Sequence, residues 1–267
     1  MQMNQSAFTF DAGSATHPGK VRSRNEDSYL MRTDAGLWAV ADGMGGHEAG
    51  DVASQLIVSA LDTISAVGSA NRLLEETESR IFLANRQIIE MSRQRGGSII
   101  GSTVAILLIS EDHYACVWAG DSRLYLVRRD TIRQVSRDHT EIEEMLASGA
   151  VTAEEARNWP NNVITRAVGV QDNPELEIVT GAFENCDIFV LCSDGLTKHV
   201  ADHEILQCVS THDAQTSSAA LVHLALDRGG LDNVTVVVVR PTLQQSRKER
   251  TVPAAILQEP PATDVWE

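Results

Sequence analysis

The sequence is poor in aromatic residues and lacks the cysteine pairs that bind zinc. Phe, Trp and Tyr together make up 4% of the 267 residues, so the hydrophobic core must consist mostly of aliphatic side chains. The four cysteines include no Cys-x-x-Cys pair, and no group of Cys and His residues has the spacing of zinc ligands. We therefore predict reduced cysteines, three of which lie within apolar runs: Cys116, Cys192 and Cys208.

Basic residues are outnumbered, and long apolar runs are missing. The 37 Asp and Glu residues against 22 Lys and Arg residues give a net charge of −15, which argues against non-specific binding to nucleic acid or anionic lipid. Residues 1–14 have neither the basic region nor the apolar region of a signal peptide. No run reaches the roughly 18 apolar residues of a membrane helix. We therefore expect a soluble, cytoplasmic protein with no nucleic-acid or membrane partner.

Hydrophobic periodicity divides the chain into strands and pairs of helices. Residues 8–42 are typical of strands, and residues 50–65 and 69–95 carry apolar positions at helical spacing. Three short β runs follow over residues 102–129, and their spacing is typical of an antiparallel meander. Two further strands, two helices and a last strand ending at Arg240 complete the pattern. Because strands and helix pairs alternate, we predict two packed antiparallel sheets with helices outside.

Two segments stand apart from this pattern. Residues 139–158 are helical in pattern but highly polar, and we interpret about 139–163 as a surface flap. Residues 241–267 contain four prolines and show no periodicity, so we predict a disordered tail beyond a domain of residues 1–240. The apolar stretch VPAAIL within this tail could instead dock onto another surface.

Six acidic residues lie in short polar or glycine-rich blocks that adjoin apolar runs. The blocks are RSRNED (22–27), ADGMGGH (41–47), AGDSR (119–123), LCSDGL (191–196) and DNVTVVVV (232–239). The acids are Glu26, Asp27, Asp42, Asp121, Asp194 and Asp232. Carboxylates that converge on one place repel each other unless cations neutralise them, and oxygen ligands select Mg²⁺, Mn²⁺ or Ca²⁺ over zinc. The pattern therefore predicts a carboxylate-lined metal site.

A single Asp-Gly block would be weak evidence, because a tight turn after a strand explains many of them. The joint occurrence of several such blocks at strand edges is much less expected by chance. In ADGMGGH the glycines let the backbone approach a ligand closely, and the Gly43 carbonyl can itself coordinate a metal beside Asp42.

The ordered set of motifs resembles the metal-dependent Ser/Thr protein phosphatases of type 2C, the PPM family, in their bacterial form. The motifs, in the family's order over about residues 10–240, are VRSRNED, ADGMGGH, GST, AGDSR, RDHT, ITRAVG, LCSDGL and DNVTVVV. The resemblance implies an α+β fold: a central β-sandwich of two antiparallel sheets, flanked by pairs of antiparallel helices in four αββα layers. It also implies two to three Mn²⁺ or Mg²⁺ ions in a cleft between the sheets.

The resemblance assigns a role to each acidic residue. Asp42 would bridge two ions, and Gly43 would bind one of them through its backbone oxygen. Asp194 and Asp232 would complete the second ion's ligands. The remaining family positions are Glu26 and Asp27, which would ligate directly or through water, and Asp121, which would help Asp194 to hold a weaker third ion.

The resemblance also implies the chemistry. Two divalent ions lower the pKa of a bridging water, whose hydroxide would attack phosphorus directly without a Cys or Ser nucleophile. Arg22 occupies the phosphate-binding position, where a guanidinium grips two oxygens. Met44 stands where some relatives carry a proton-donating His, so a metal-bound water is the expected acid and His47 a weaker candidate. We predict structural roles for His139, Arg123 and Arg166, the two arginines by pairing with acids near the site.

The leading function is therefore the hydrolysis of phosphoserine and phosphothreonine in proteins. We expect a monomer that opposes a bacterial Ser/Thr kinase, with the kinase or its targets as partners. One alternative is a catalytically inactive module that binds phosphoproteins, although all six acids remain. Another alternative keeps the fold but acts on an anti-sigma-factor antagonist or another signalling regulator.

Overall fold

A computed structural model describes residues 8–45, 49–65, 69–156, 159 and 163–243. Strands in these ranges form two sheets, and every pairing between neighbours is antiparallel. The strands are β1 (Phe8–His17), β2 (Asp27–Arg32), β3 (Leu37–Gly45), β4 (Ile100–Ser102), β5 (Val104–Ser110), β6 (His113–Ala119), β7 (Arg123–Arg128), β8 (Thr131–Gln134), β9 (Glu177–Ala182), β10 (Ile188–Cys192) and β11 (Val234–Leu243).

The first sheet has the strand order β1-β11-β10-β7-β8, and the second has the order β2-β3-β5-β6-β9 with β4 paired to β3. Helices in the described ranges follow the strands in pairs or fill the connections. They are α1 (Gly50–Asp62), α2 (Ala70–Gln94), α3 (Glu141–Ser148), α4 (Ala153–Ala156), α5 (Asp194–Thr197), α6 (Asp202–Thr211) and α7 (Ala214–Asp227).

Three clusters of buried side chains hold four layers together. The cluster between the two sheets contains the large rings of Trp38, Trp118 and Phe189, so the few aromatic residues are concentrated there. A second cluster joins α1 and α2 to the outer face of the second sheet, and a third joins α6 and α7 to the first sheet. The predicted four-layer αββα sandwich is confirmed.

The predicted helices and most predicted strands are present with small changes in their ends. On α1, the buried side chains of Ala53, Ile57 and Leu61 recur every fourth residue and form the face that packs on the sheet. The short strands β4 and β8 and the single turn of α5 were not predicted. The last strand continues to Leu243, three residues beyond the expected end at Arg240.

The predicted meander over residues 102–129 is wrong in one respect. Strands β5 and β6 pair in the second sheet as expected, but β7 lies in the first sheet beside β10. The chain crosses between the sheets at Gly120, whose φ is +109°. A Cβ atom on Gly120 would lie 2.6 Å from the Thr103 side chain, so this crossing requires glycine. The crossing carries Asp121 into the space between the sheets.

The polar segment after residue 139 forms two helices rather than one. Thr140 caps α3 by accepting a hydrogen bond from the Glu143 N–H, and Gly149, with φ +72°, ends the helix. The Glu141 N–H donates to Val163 O at 3.0 Å, which ties the start of the segment to its end. Residues 244–267 lie outside the described ranges, so the tail stays a prediction. No described helix is long and apolar enough to cross a membrane.

Candidate metal centre

The two sheets bring the predicted acids to one edge of the sandwich. Asp27 begins β2 and Asp42 lies near the end of β3, where the two residues are direct partners in the antiparallel register. Asp121 lies at the crossing before β7, Asp194 begins α5 directly after β10, and Asp232 precedes β11. Each carboxylate therefore lies at a strand end or in a connection, as the block pattern predicts.

Asp27 connects the two sheets through hydrogen bonds to its side chain. Its Oδ2 accepts from the hydroxyl of Ser193 at 2.8 Å and from the hydroxyl of Thr235 at 2.7 Å, both on the first sheet's side of the cleft. Its Oδ1 is buried without a partner. Burial raises the pKa of Asp27 from 3.8 to about 7, although the two hydroxyls oppose this shift.

Asp42 is surrounded by other carboxylates. Burial, followed by the negative charges of Asp27 and Asp194, raises the pKa of Asp42 well above its ordinary value. Its backbone is fixed by the second sheet: the Asp42 N–H donates to the Thr103 hydroxyl at 3.2 Å, and Asp42 O accepts from the Thr103 N–H at 2.9 Å. A neighbouring cation would stabilise the ionised form of a carboxylate that is buried among other negative charges.

Asp121 and Asp194 are also buried carboxylates whose pKa values are raised. Burial and the charge of Asp194 raise the pKa of Asp121 to about 7. Burial also raises the pKa of Asp194, although the ammonium of Lys198 opposes the shift. One oxygen of each carboxylate, Oδ1 in both cases, is buried without a hydrogen-bond partner. Unpartnered buried carboxylate oxygens are costly unless a cation approaches them.

Asp232 differs from the other acids because two cationic side chains contact it. Arg22 grips it through Nε at 2.9 Å and Nη2 at 3.1 Å, and Lys198 Nζ lies 3.0 Å from its Oδ2. Burial alone would raise the pKa of Asp232, but Lys198, the Asn233 N–H and Arg22 outweigh it, and the pKa is lowered. Arg22 thus reaches the site as predicted, but it pairs with a carboxylate.

Gly43 lies where other backbone segments approach closely. Its N–H donates to Glu26 O at 3.1 Å, and a Cβ atom added to it would lie 2.0 Å from Gly50 O. Only glycine fits between these two backbones. Burial and the nearby Asp51 raise the pKa of the Glu26 side chain above its ordinary value. Glu26 and Gly43 are therefore fixed side by side at the N-terminus of α1.

The donor set fits hard divalent ions. All six side chains offer carboxylate oxygens, and Arg22 and Lys198 bring two positive charges against six potential negative ones. Two divalent ions would balance the excess of about four charges. Among the residues that the structure describes, no three Asp, Glu, His or Cys side chains are already gathered to hold an ion. Ligation would therefore draw the carboxylates closer together.

Several residues that build the site were not predicted from the sequence. Asn233 accepts from the Glu26 N–H at 2.8 Å and donates to Arg24 O at 2.7 Å, so it fixes the loop that carries Arg22 and Glu26. Ser193 lies within the motif LCSDGL and Asn233 within DNVTVVVV. Each is adjacent to a predicted acid, and this position is the sequence feature that could have identified them. Lys198 lies two residues after the motif LCSDGL, and nothing in the sequence pattern indicates that it belongs to the site.

His139 has the structural role that was predicted for it. Its Nδ1 accepts from the Gly120 N–H at 3.1 Å, its Nε2 lies 2.9 Å from Glu177 Oε2, and its ring stacks on Trp118. These contacts hold the crossing that carries Asp121. The predicted acid pairing of the two arginines is confirmed as well, by Arg123 with Asp138 and by Arg166 with Glu175 and Glu177. His47, the weaker candidate for the acid, lies outside the described residues.

The raised pKa values predict how the stability of the metal-free protein depends on pH. Between about pH 4 and 7, folded Asp27 and Asp121 bind protons that their unfolded forms have already released. The free energy of unfolding in EDTA should therefore fall as the pH rises through this window. Urea unfolding at pH 5, 6 and 7 measures this slope. Saturating Mn²⁺ should flatten it, and a stability that rises with pH in EDTA would contradict the prediction.

A sandwich of two antiparallel sheets with paired helices outside is the architecture of bacterial serine/threonine protein phosphatase domains. Residues 18–227 match the family model described as Protein phosphatase 2C, and the chain belongs to this family. The resemblance seen in the motifs is confirmed.

Two bacterial relatives illustrate the similarity in sequence. The serine/threonine phosphatase stp of Listeria welshimeri is 32% identical over 246 residues, which cover 88% of this chain and 97% of that protein. The serine/threonine protein phosphatase PstP of Mycobacterium tuberculosis is 37% identical over 225 residues, which cover 82% of this chain and 43% of that protein. This chain thus spans less than half of the longer relative.

Solved structures show the same fold. PppA, a key regulatory component of T6SS in Pseudomonas aeruginosa, superposes with a TM-score of 0.81 and 40% identity, covering 87% of this chain and 97% of that one. The catalytic domain of PstP in complex with two manganese ions superposes with a TM-score of 0.78 and 33% identity. The match covers 88% of this chain and 99% of that one.

Proposed function

We propose that this protein is a metal-dependent phosphatase that hydrolyses phosphoserine and phosphothreonine in proteins. The observation that carries the proposal is the set of six carboxylates around the cleft, with three buried oxygens that lack a hydrogen-bond partner. Membership of the protein phosphatase 2C family and relatives named serine/threonine phosphatases support it.

In this proposal Asp42 and the Gly43 carbonyl would hold Mn²⁺ or Mg²⁺ ions, with Asp42 as the ligand that two of them would share. Asp194 and Asp232 would complete the ligands of the second ion. The other proposed ligands are Glu26, Asp27 and Asp121, the last at a third ion shared with Asp194. Divalent ions held there would supply an activated water and neutralise charge at phosphorus.

The chain's own residues bind and orient the phosphate. Arg22 is 54% exposed and presents a guanidinium fork to Asp232, so the same fork can turn to two phosphoryl oxygens. The cysteine beside Ser193 is not suited to attack phosphorus, because burial raises the pKa of the Cys192 thiol to about 12. Met44 cannot transfer a proton, so the leaving alkoxide takes its proton from water.

For the cellular role, we propose that the enzyme opposes a bacterial Ser/Thr kinase. Dephosphorylation of kinase-modified proteins from the source cell, followed by phosphopeptide mass spectrometry, tests this role; no change in any phosphosite would contradict it. A second candidate process is the regulation of type VI secretion, since the 40% identical PppA is described as a regulator of that system.

Hydrolysis of a phosphothreonine peptide by the purified protein tests the enzyme activity. Activity should rise steeply with Mn²⁺, fall to background in EDTA, and return when Mn²⁺ is added back, because the six carboxylates repel each other without cations. It should not respond to thiol-blocking reagents. Activity that survives EDTA, or that thiol reagents abolish, would contradict the proposal.

A further inference from the structure

Lys198 contacts two of the carboxylates proposed as metal ligands. Its Nζ lies 2.5 Å from Asp194 Oδ2 and 3.0 Å from Asp232 Oδ2. Lys198 follows Asp194 by four residues, and its backbone N–H donates to Asp194 O at 2.9 Å. Because side chains four residues apart on a helical turn lie on the same face, the local fold directs the ammonium onto Asp194.

The ammonium takes oxygen atoms that a divalent ion would need. Oδ2 of Asp194 contacts Lys198, and the two oxygens of Asp232 contact Arg22 and Lys198. An ammonium and a divalent ion that touch the same carboxylate oxygen repel each other strongly at such short range. Binding of the ion through these oxygens therefore requires Nζ to move away. The side chain can do so because it is 36% exposed, and its flexible four-carbon stem lets Nζ turn towards solvent.

We propose that Lys198 is an internal counter-cation of the metal centre, which holds Asp194 and Asp232 until a divalent ion displaces it. Loading is then an exchange of cations rather than a simple addition. This inference rests on the proposed metal centre and adds a competitor within the chain. The competition lowers the apparent affinity for the ion, and the lysine stabilises the carboxylates before the ion arrives.

Calorimetric titration of Mn²⁺ into EDTA-treated and desalted protein tests the exchange directly. The substitution Lys198→Met keeps the length and apolar stem of the side chain and removes its charge. We expect the variant to bind Mn²⁺ about tenfold more tightly, as it would if the lysine blocks the ligands in about nine molecules out of ten. Without Mn²⁺, its melting temperature should fall below that of the wild type, because Asp194 loses the ammonium that contacts it and Asp232 keeps only its contact with Arg22. Saturating Mn²⁺ should remove this difference.

Lys20→Met is the matched control. Lys20 is an exposed lysine in the loop before Arg22, so the control removes the same charge near the same edge without touching Asp194. It should bind Mn²⁺ like the wild type. Lys198→Gln serves as a second variant if Lys198→Met does not fold, and it should show the same tighter binding.

The outcomes separate this inference from the proposed function. If Mn²⁺ binds the wild type and Lys198→Met with equal affinity, the exchange is overturned while the metal centre stands. The same holds if Lys20→Met tightens binding as much as Lys198→Met, because the effect is then one of net charge. If none of the proteins binds Mn²⁺, the metal centre itself is overturned, and the exchange with it.

Discussion

Substitution of Asp42 by Asn should reduce phosphothreonine hydrolysis by at least about a thousandfold, which corresponds to about 4 kcal/mol of transition-state stabilisation. An amide cannot bridge two divalent ions as a carboxylate does. The fold should survive, because Asp42 is raised in pKa by burial and by the charges of Asp27 and Asp194, and the substitution relieves that repulsion. The metal-free variant should therefore be at least as stable as the wild type at pH 8.

Steady-state kinetics and urea unfolding of the same preparation measure both halves of this prediction. Asp130→Asn is the matched control, since Asp130 is an exposed residue of the turn between β7 and β8 and should tolerate the change without loss. Residual activity within tenfold of the wild type would contradict the proposed role of Asp42 as the ligand that two ions share. An inactive but folded Asp42→Asn protein can also capture phosphorylated substrates for identification.

Substitution of Gly43 by Ala should damage both stability and activity. The added Cβ would lie 2.0 Å from Gly50 O and 2.7 Å from Glu26 O, and both obstacles are backbone atoms that cannot turn aside. We expect the free energy of unfolding to fall by about 3 kcal/mol, the upper end of typical overpacking costs. Activity should be lost together with the position of the Gly43 carbonyl.

Gly45→Ala is the control for this substitution. Gly45 lies two residues away on the same strand, and a Cβ atom there would meet its nearest neighbours at 3.4 Å, an ordinary contact. Its unfolding free energy should therefore stay close to that of the wild type in urea titrations. If Gly43→Ala proves as stable as Gly45→Ala, the close approach of the Gly43 and Gly50 backbones is not a constraint on the fold.

Much of the fold was predictable because its signals are local. The four long helices α1, α2, α6 and α7 follow from apolar spacing, and most strands follow from short apolar runs between turns. The sheet to which β7 belongs was not predictable in this way. Strands β5, β6 and β7 are all largely buried, so their patterns do not distinguish a meander from a crossing between sheets. The decisive residue is Gly120, and its role depends on contact with Thr103.

The candidate site was predictable to the extent that its residues form motifs. All six acids were found because each lies beside a strand end in a recognisable block. The hydroxyls of Ser193 and Thr235 were not assigned, because their partner Asp27 is 166 and 208 residues away in the chain. Lys198 was missed for a similar reason: its link to Asp232 exists only after the first sheet has formed.

The hydrogen bonds of Thr235 also bear on how the chain selects its native pairing during folding. Strand β11 contains Val236, Val237, Val238 and Val239 in succession, so a slip by two residues would place valine on valine and leave the apolar faces almost unchanged. Thr235 removes this ambiguity, since its hydroxyl meets Asp27, its N–H meets the Ser193 hydroxyl, and its carbonyl accepts from the Ser193 N–H. A slip by two residues would place a valine there, whose backbone could replace the last two bonds but which has no hydroxyl to donate to Asp27. The edge that gathers the carboxylates therefore sets the register of a repetitive strand, and misaligned molecules would not assemble the candidate metal site.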